Sequence, residues 1–255
     1  LADEGSGVTD RLVLWDFDGT LAFREGLWSG CVMEVLDAHR PGHGIVVEDV
    51  RAGLSKGFPW HRPHERHPHP GDAERWWDEM EARIGDALAR AGVERSECAA
   101  LARATHARFI DPAVGWRRFE DTVPALAATA GEGWTNAIVS NHVPELADLV
   151  TGLGLDRHVD RVFTSGLIGW EKPNARFFEH VLAGYDELEE VWMVGDNPIA
   201  DVAGAEAVGL QAILVRTQAP YARCCATGLL EASQMILASG GPAPRSQARR
   251  TNDLT

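Results

Sequence analysis

Leu12, Val13, Leu14 and Trp15 form a short unbroken apolar run that stops at Asp16. An apolar run without polar alternation predicts a strand buried on both faces, as in a parallel sheet. The pattern continues only to Thr20 and returns near Trp134, where TNAIVS predicts a second buried strand ending at Ser140-Asn141. Val162 to Thr164, VWMVGD and the AILV run from Ala212 predict three more strands. Between them, Asp121 to Ala130, PELADLVTGLG, ARFFEHVLAGY and Gly228 to Ser239 read as helices, with Pro144 and Pro173 suited to first helical turns. Strands alternating with helices predict an α/β fold built on a parallel sheet.

The intervening hundred or so residues follow a helical period instead. From Asp72 to Gly92 the apolar positions Trp76, Trp77, Met80, Ile84, Ala87, Leu88 and Ala91 recur at three-to-four spacing. A second helix starts near Ser96, carries Cys98, Leu101, Ala102, Thr105 and Phe109 on one face, and ends at Asp111-Pro112. Leu27 to Arg40 reads as a further helix. A helical block spliced between two buried strands predicts a cap domain over residues 21–118, inserted into a core of 1–20 plus 119–239. The tail, 240–255, is expected to be disordered, and residues 1–10 loose; the missing initiating Met suggests a trimmed N-terminus.

Composition narrows the function classes. The 255 residues suffice for one large domain with an insert, and 45% hydrophobic with 24% charged residues is ordinary for a globular protein. A formal net charge of -14 argues against nucleic-acid and anionic-membrane partners, so any phosphate must be attracted locally. The four cysteines, Cys31, Cys98, Cys224 and Cys225, have no CxxC spacing and suit a reducing compartment. With no leader-like or bilayer-length apolar run, the expected location is the cytoplasm.

Candidate chemistry gathers at the strand ends. Asp16 and Asp18 are two apart on an extended segment, so both carboxylates project to one side, an arrangement that a cation or a shared proton must hold. Gly19 permits a sharp turn and Thr20 offers a hydroxyl. A calcium loop is excluded, because the twelfth position from Asp16 is Leu27 rather than Glu. GDNPIAD brings Asp196 and Asp201 to the end of another buried run, and four converging carboxylates suit magnesium. Ser140-Asn141 and Lys172 add donors. The stretch KGFPWHRPHERHPHPGD holds His61, His64, His67 and His69, but its prolines and lack of helical pairing argue for a stiff loop over a zinc site. Trp60, His61 and Arg62 are the candidate specificity residues.

DFDGT, Ser140 after a strand, Lys172-Pro173 and GDNPIAD occur in the order and type of the four motifs of the haloacid dehalogenase superfamily. The resemblance covers residues 11 to about 217 and implies a doubly wound sheet of order 3-2-1-4-5, the site at its C-terminal edge, and a helical C1 cap. It implies Asp16 as nucleophile, Asp18 as acid/base, Ser140 and the Asn141 N–H as phosphoryl-oxygen donors, and Lys172 as the neutralising cation. Magnesium would be held by Asp16, the Asp18 carbonyl and Asp196, with Asp201 in support and Thr20 steadying Asp18. Family members that cleave carbon–halogen bonds lack an acid at the place of Asp18, so its presence favours a phosphatase acting on a small phosphorylated metabolite, as monomer or homodimer. A phosphomutase and a non-catalytic binding protein are the alternatives. Ala200 departs from the polar residue that many relatives carry before the last acid.

Overall fold

The computed structural model describes residues 11–220 and 222–239; the expected loose N-terminus and disordered tail lie outside the described residues. The chain opens with β1 (Arg11–Trp15) and β2 (Ala22–Arg24), then runs through α1 (Leu27–His39), α2 (Val47–Leu54), α3 (Ala73–Arg90) and α4 (Arg95–Phe109). It returns by β3 (Trp116–Arg118), α5 (Thr122–Gly131), β4 (Thr135–Ser140), α6 (Leu146–Gly152), β5 (Arg161–Thr164), α7 (Ser165–Ile168) and α8 (Ala175–Leu182). The last stretch holds β6 (Glu190–Gly195), a wide helical turn over Pro198–Ala203 leading into α9 (Gly204–Ala207), β7 (Gln211–Val215), β8 (Cys225–Ala226) and α10 (Leu229–Ser239).

The main sheet has the order β5-β4-β1-β6-β7-β8, with every neighbouring pair parallel. Its first five members reproduce the expected 3-2-1-4-5 order, and the two-residue β8 adds an edge that no apolar run announced. β1 lies between β4 and β6, and the unbroken apolar run follows from that position: both faces of the strand are covered. Val13 and Trp15 belong to the cluster beneath α5 and α10, whereas Leu12 and Leu14 pack with Phe177, Phe178 and Val181 of α8. Trp15 also needs a polar partner, and its indole N–H donates to Asn136 Oδ1 at 2.9 Å.

The inserted segment is helical from α1 to α4: α1, α3 and α4 fall where the sequence predicts helices, α2 does not, and the segment rests on a feature the period does not predict. β2 and β3 pair antiparallel as a two-stranded ribbon at the base of the insert. Too short to show alternation, they form because the outgoing and returning chains run side by side. Buried Arg24 anchors the ribbon: it pairs with Glu34 at 2.6 Å, and Glu34 also takes Arg108 Nε at 2.6 Å. α3 begins where Asp72 accepts the Arg75 N–H at 3.1 Å, and turns Trp76, Trp77, Met80, Ile84 and Leu88 inward. The Trp77 indole donates to both Glu145 oxygens, at 2.9 and 3.1 Å, joining insert to core. All four cysteines are free thiols, and no helix among the described residues is long and apolar enough to cross a membrane.

Candidate active site

The C-terminal ends of β1, β4 and β6 meet at one point, because parallel pairing aligns Trp15 with Ile138 and Val194. Asp16 leaves the sheet there, its N–H still bonded to Val194 O at 2.9 Å. Its Oδ1 accepts the Ser140 hydroxyl and the Lys172 ammonium, each at 2.8 Å. Lys172 also donates to Val139 O at 2.8 Å and Asp201 Oδ1 at 2.6 Å, so its three protons are matched by three acceptors. Asp201 Oδ2 takes the Asn197 N–H at 2.9 Å. Both Asp201 oxygens are thus committed, which makes Asp201 the orienting carboxylate, whereas Asp16 Oδ2 and Asp196 Oδ1 meet the Thr20 hydroxyl only at 3.4 Å.

Asp16, Asp196 and Asp201 bring one oxygen each to within 4.8 Å of one another. Gly19 is required by this approach: its φ of 80° is left-handed, and a Cβ there would overlap the Asp196 carboxylate. Burial, then the charges of Asp16 and Asp196, push the Asp18 carboxyl well above its ordinary value. Burial and Asp16 raise Asp196 to about 6. Like charges gathered in a partly dry site are the physical signature of a divalent-cation pocket, and hard carboxylate donors without thiol or imidazole fit magnesium.

One role differs from that expected. The Thr20 hydroxyl lies 3.4 Å from Asp16 Oδ2 and 3.4 Å from Asp196 Oδ1, not beside Asp18, because the turn after Asp18 folds the hydroxyl back over the strand ends. The Asn141 side chain closes a two-point clip on the lysine loop, accepting the Lys172 N–H at 2.7 Å and donating to its carbonyl at 2.9 Å. Ala200 leaves no gap in the support of Asp201, since Lys172 and the Asn197 N–H hold that carboxylate.

A family profile for haloacid dehalogenase-like hydrolases matches residues 11–209. The chain belongs to the haloacid dehalogenase-like hydrolase family. The hydrolase is 29% identical over 217 residues to haloacid dehalogenase-like hydrolase domain-containing protein 3 of Mus musculus, covering 82% of this chain and 83% of that one. It is 39% identical over 92 residues to phosphoserine phosphatase of Thermus thermophilus, 35% of this chain and 37% of that protein. In fold it resembles YfnB from Bacillus subtilis, solved bound to magnesium, with a TM-score of 0.68, 16% identity and coverage of 89% and 98%.

Above the carboxylates of this hydrolase lies a cleft of about 360 Å³. Its floor is Asp16, Asp18, Ser140, Asn141, Lys172 and Asp196, and its far wall comes from the insert as Leu27, Trp28, Trp60 and Phe109. Trp28 stacks on Phe109 at 3.9 Å between centroids and on Trp60 at 5.9 Å, a continuous aromatic wall. Of the three candidate specificity residues, only Trp60 lines the cleft. His61 turns its Nδ1 onto the Phe58 N–H at 3.3 Å, and Arg62 borders a different cavity. Among the other loop histidines, His67 lies 2.9 Å from Glu171, and no histidine joins a metal-type cluster among the described residues.

His142 is a cleft residue that sequence reasoning passed over. It follows Ser140-Asn141 directly, which is the signal that was available. Its ring sits among Phe17, Trp116 and Phe109 at 5.4, 5.3 and 5.8 Å, and burial pushes its pKa down to about 3, so the imidazole is neutral. Phe109 was legible only as a helix-face residue, and Trp28 only as a position within the helix expected over Leu27 to Arg40.

Proposed function

We propose that this hydrolase is a magnesium-dependent phosphatase that cleaves a small-molecule phosphate monoester through an aspartyl-phosphate on Asp16. The observation that carries the reading is the placement of Asp16: Lys172 and Ser140 hold one carboxylate oxygen at 2.8 Å each, with Asp18, raised in pKa, two residues along. The phosphatase relative supports the same class. In this reading residues 21–118 are the cap, the core is 1–20 with 119–239, and the substrate is held between them.

The Asp16 carboxylate attacks phosphorus, and the bond from phosphorus to the ester oxygen breaks. Asp18, protonated because burial and its carboxylate neighbours disfavour its charge, gives its proton to the leaving oxygen. Asp18, now ionised, takes a proton from water as that water attacks the phosphoryl group, and the Asp16–phosphorus bond breaks to release phosphate. Lys172 and Ser140 fix the carboxylate and offset charge on the transferring group. Asn141 acts at one remove, holding the loop that aims Lys172. Asp16, Asp196 and the Asp18 carbonyl would hold magnesium, which when bound supplies charge neutralisation for the phosphoryl oxygens.

The test is phosphate release from a panel of sugar phosphates, nucleotides and an aryl phosphate, with magnesium or with excess chelator, for the wild type and Asp16→Asn. Release that needs magnesium and disappears in the variant is expected. Release that survives either change would overturn the mechanism.

A further inference from the structure

The insert contains a second cavity, of about 260 Å³, that shares no wall residue with the catalytic cleft. Arg62, Arg66 and Arg83 border it, against two carboxylates, Glu65 and Glu79. Arg62 is paired with Glu65 at 2.8 Å and Arg83 with Glu79 at 3.5 Å. Among the described residues Arg66 has neither an ion-pair nor a hydrogen-bond partner, so the wall carries an uncompensated cation in a chain of net charge -14. Two further donors of the wall residues, the buried Trp76 Nε1 and Arg83 Nε, lack acceptors. Buried donors without acceptors are unfavourable, and the buried His67 ring on the same wall adds two nitrogens without hydrogen-bond partners, one of them a further donor in the neutral imidazole. The rest of the wall is His67 and His69 together with the apolar Pro59, Pro68, Met80 and the Trp76 ring.

We propose that this cavity is a second binding site, for a small organic oxyanion carried on an apolar ring or short chain. The oxyanion pairs with Arg66 and Arg83, and the apolar body rests on Trp76 and Met80. A planar guanidinium suits a carboxylate and a phosphoryl group equally, so the shared chemistry is two or three acceptor oxygens with negative charge. The position suits an effector rather than a substrate, because the cavity lies outside the cleft yet its wall is bound to the lysine loop. His67 of that wall lies 2.9 Å from Glu171, the neighbour of Lys172, and its N–H donates to Gly169 O at 2.9 Å. Asn174 donates to Pro63 O at 2.9 Å, closing the same seam.

The test is calorimetric titration of the full chain in excess chelator with benzoate and, separately, phenylphosphonate. In chelator at about pH 7.5, above the Asp196 value of about 6, the cleft has no cation to offset Asp16 and Asp196, and loss of binding in the Arg66 variant assigns it to the cap cavity whether or not the phosphatase reading holds. Saturable binding of at least one anion is expected, weakened at least about tenfold by Arg66→Ala and by Arg83→Gln. Benzoate alone identifies the ligand class as carboxylate, phenylphosphonate alone as phosphoryl. Arg66 is exposed and unpaired, so Arg66→Ala should keep the wild-type melting temperature and carries the test if Arg83→Gln does not fold. No binding of either anion at about 10 mM, above the ~1 mM range of weak specific sites, overturns the proposal. So does undiminished binding in Arg66→Ala.

Discussion

Lys172 Nζ stands 2.6 Å from Asp201 Oδ1 while it also holds Asp16 Oδ1 at 2.8 Å, so one buried ammonium is divided between two carboxylates. Burial by itself pulls an ammonium's pKa down; here the two carboxylates more than reverse that, and Lys172 is held above its ordinary value. The pairing orients a lysine that the sequence places 156 residues from Asp16.

Asp201→Asn removes one charge from this buried arrangement. Loss of a partner in a buried ion pair costs about 3–5 kcal/mol, and a fall in urea-unfolding free energy toward that size is expected, with reduced turnover. An unchanged unfolding midpoint would show that Asp201 does not support Lys172.

The raised carboxyls give the metal-free chain a signed pH dependence. Burial raises Asp18, with Asp16 and Asp196 adding to it, and burial with Asp16 takes Asp196 to about 6, both above the value of 3.8 for a free Asp side chain. A folded pKa above the unfolded one means that the native state binds more protons. The contribution is full below about pH 4 and is lost as pH rises through about 6 for Asp196 and higher for Asp18. In chelator the melting temperature should fall as these carboxyls ionise, and magnesium should raise it more at about pH 7 than at about pH 5, about one unit either side of the Asp196 value. An equal magnesium shift at both pH values would place the ion elsewhere than on these carboxylates.

Asp18→Asn keeps the shape of the side chain and removes its proton transfer. Turnover of an alkyl phosphate should fall about 10²–10⁴-fold, and that of an aryl phosphate with a good leaving group should fall less. Equal losses on both esters would deny Asp18 the role of acid.

Trp60→Ala opens the aromatic wall formed with Trp28 and Phe109. It should reorder the preferred substrates while changing hydrolysis of a small aryl phosphate little, whereas His61→Ala, outside the cleft, should leave the ranking as it is. A uniform loss across a substrate panel for Trp60→Ala would remove it from substrate selection.

How much of this was legible beforehand depends on the range of the cause. The run from Leu12 to Trp15, the two-residue spacing of Asp16 and Asp18, and the period of α3 and α4 are local, so the main strands, the helical insert and the acidic floor could be read directly from neighbouring residues, whereas the strand order came only through the resemblance of the four motifs to the haloacid dehalogenase superfamily. β2 and β3 were not legible, since three residues show no period and only their pairing makes them strands.

What the sequence by itself determined is therefore the inventory of the site and the elements that carry it, because backbone geometry sends i and i+2 to one side and buries unbroken apolar runs. Only the tertiary structure decided how that inventory is used. Thr20 bridges Asp16 and Asp196, Asn141 clips the lysine loop, Trp28 and Phe109 join Trp60 in the cleft wall, and Arg62 falls to a separate cavity. Each of those outcomes depends on contacts across the fold or on the path of a loop, and hydrophobic periodicity carries no term for either.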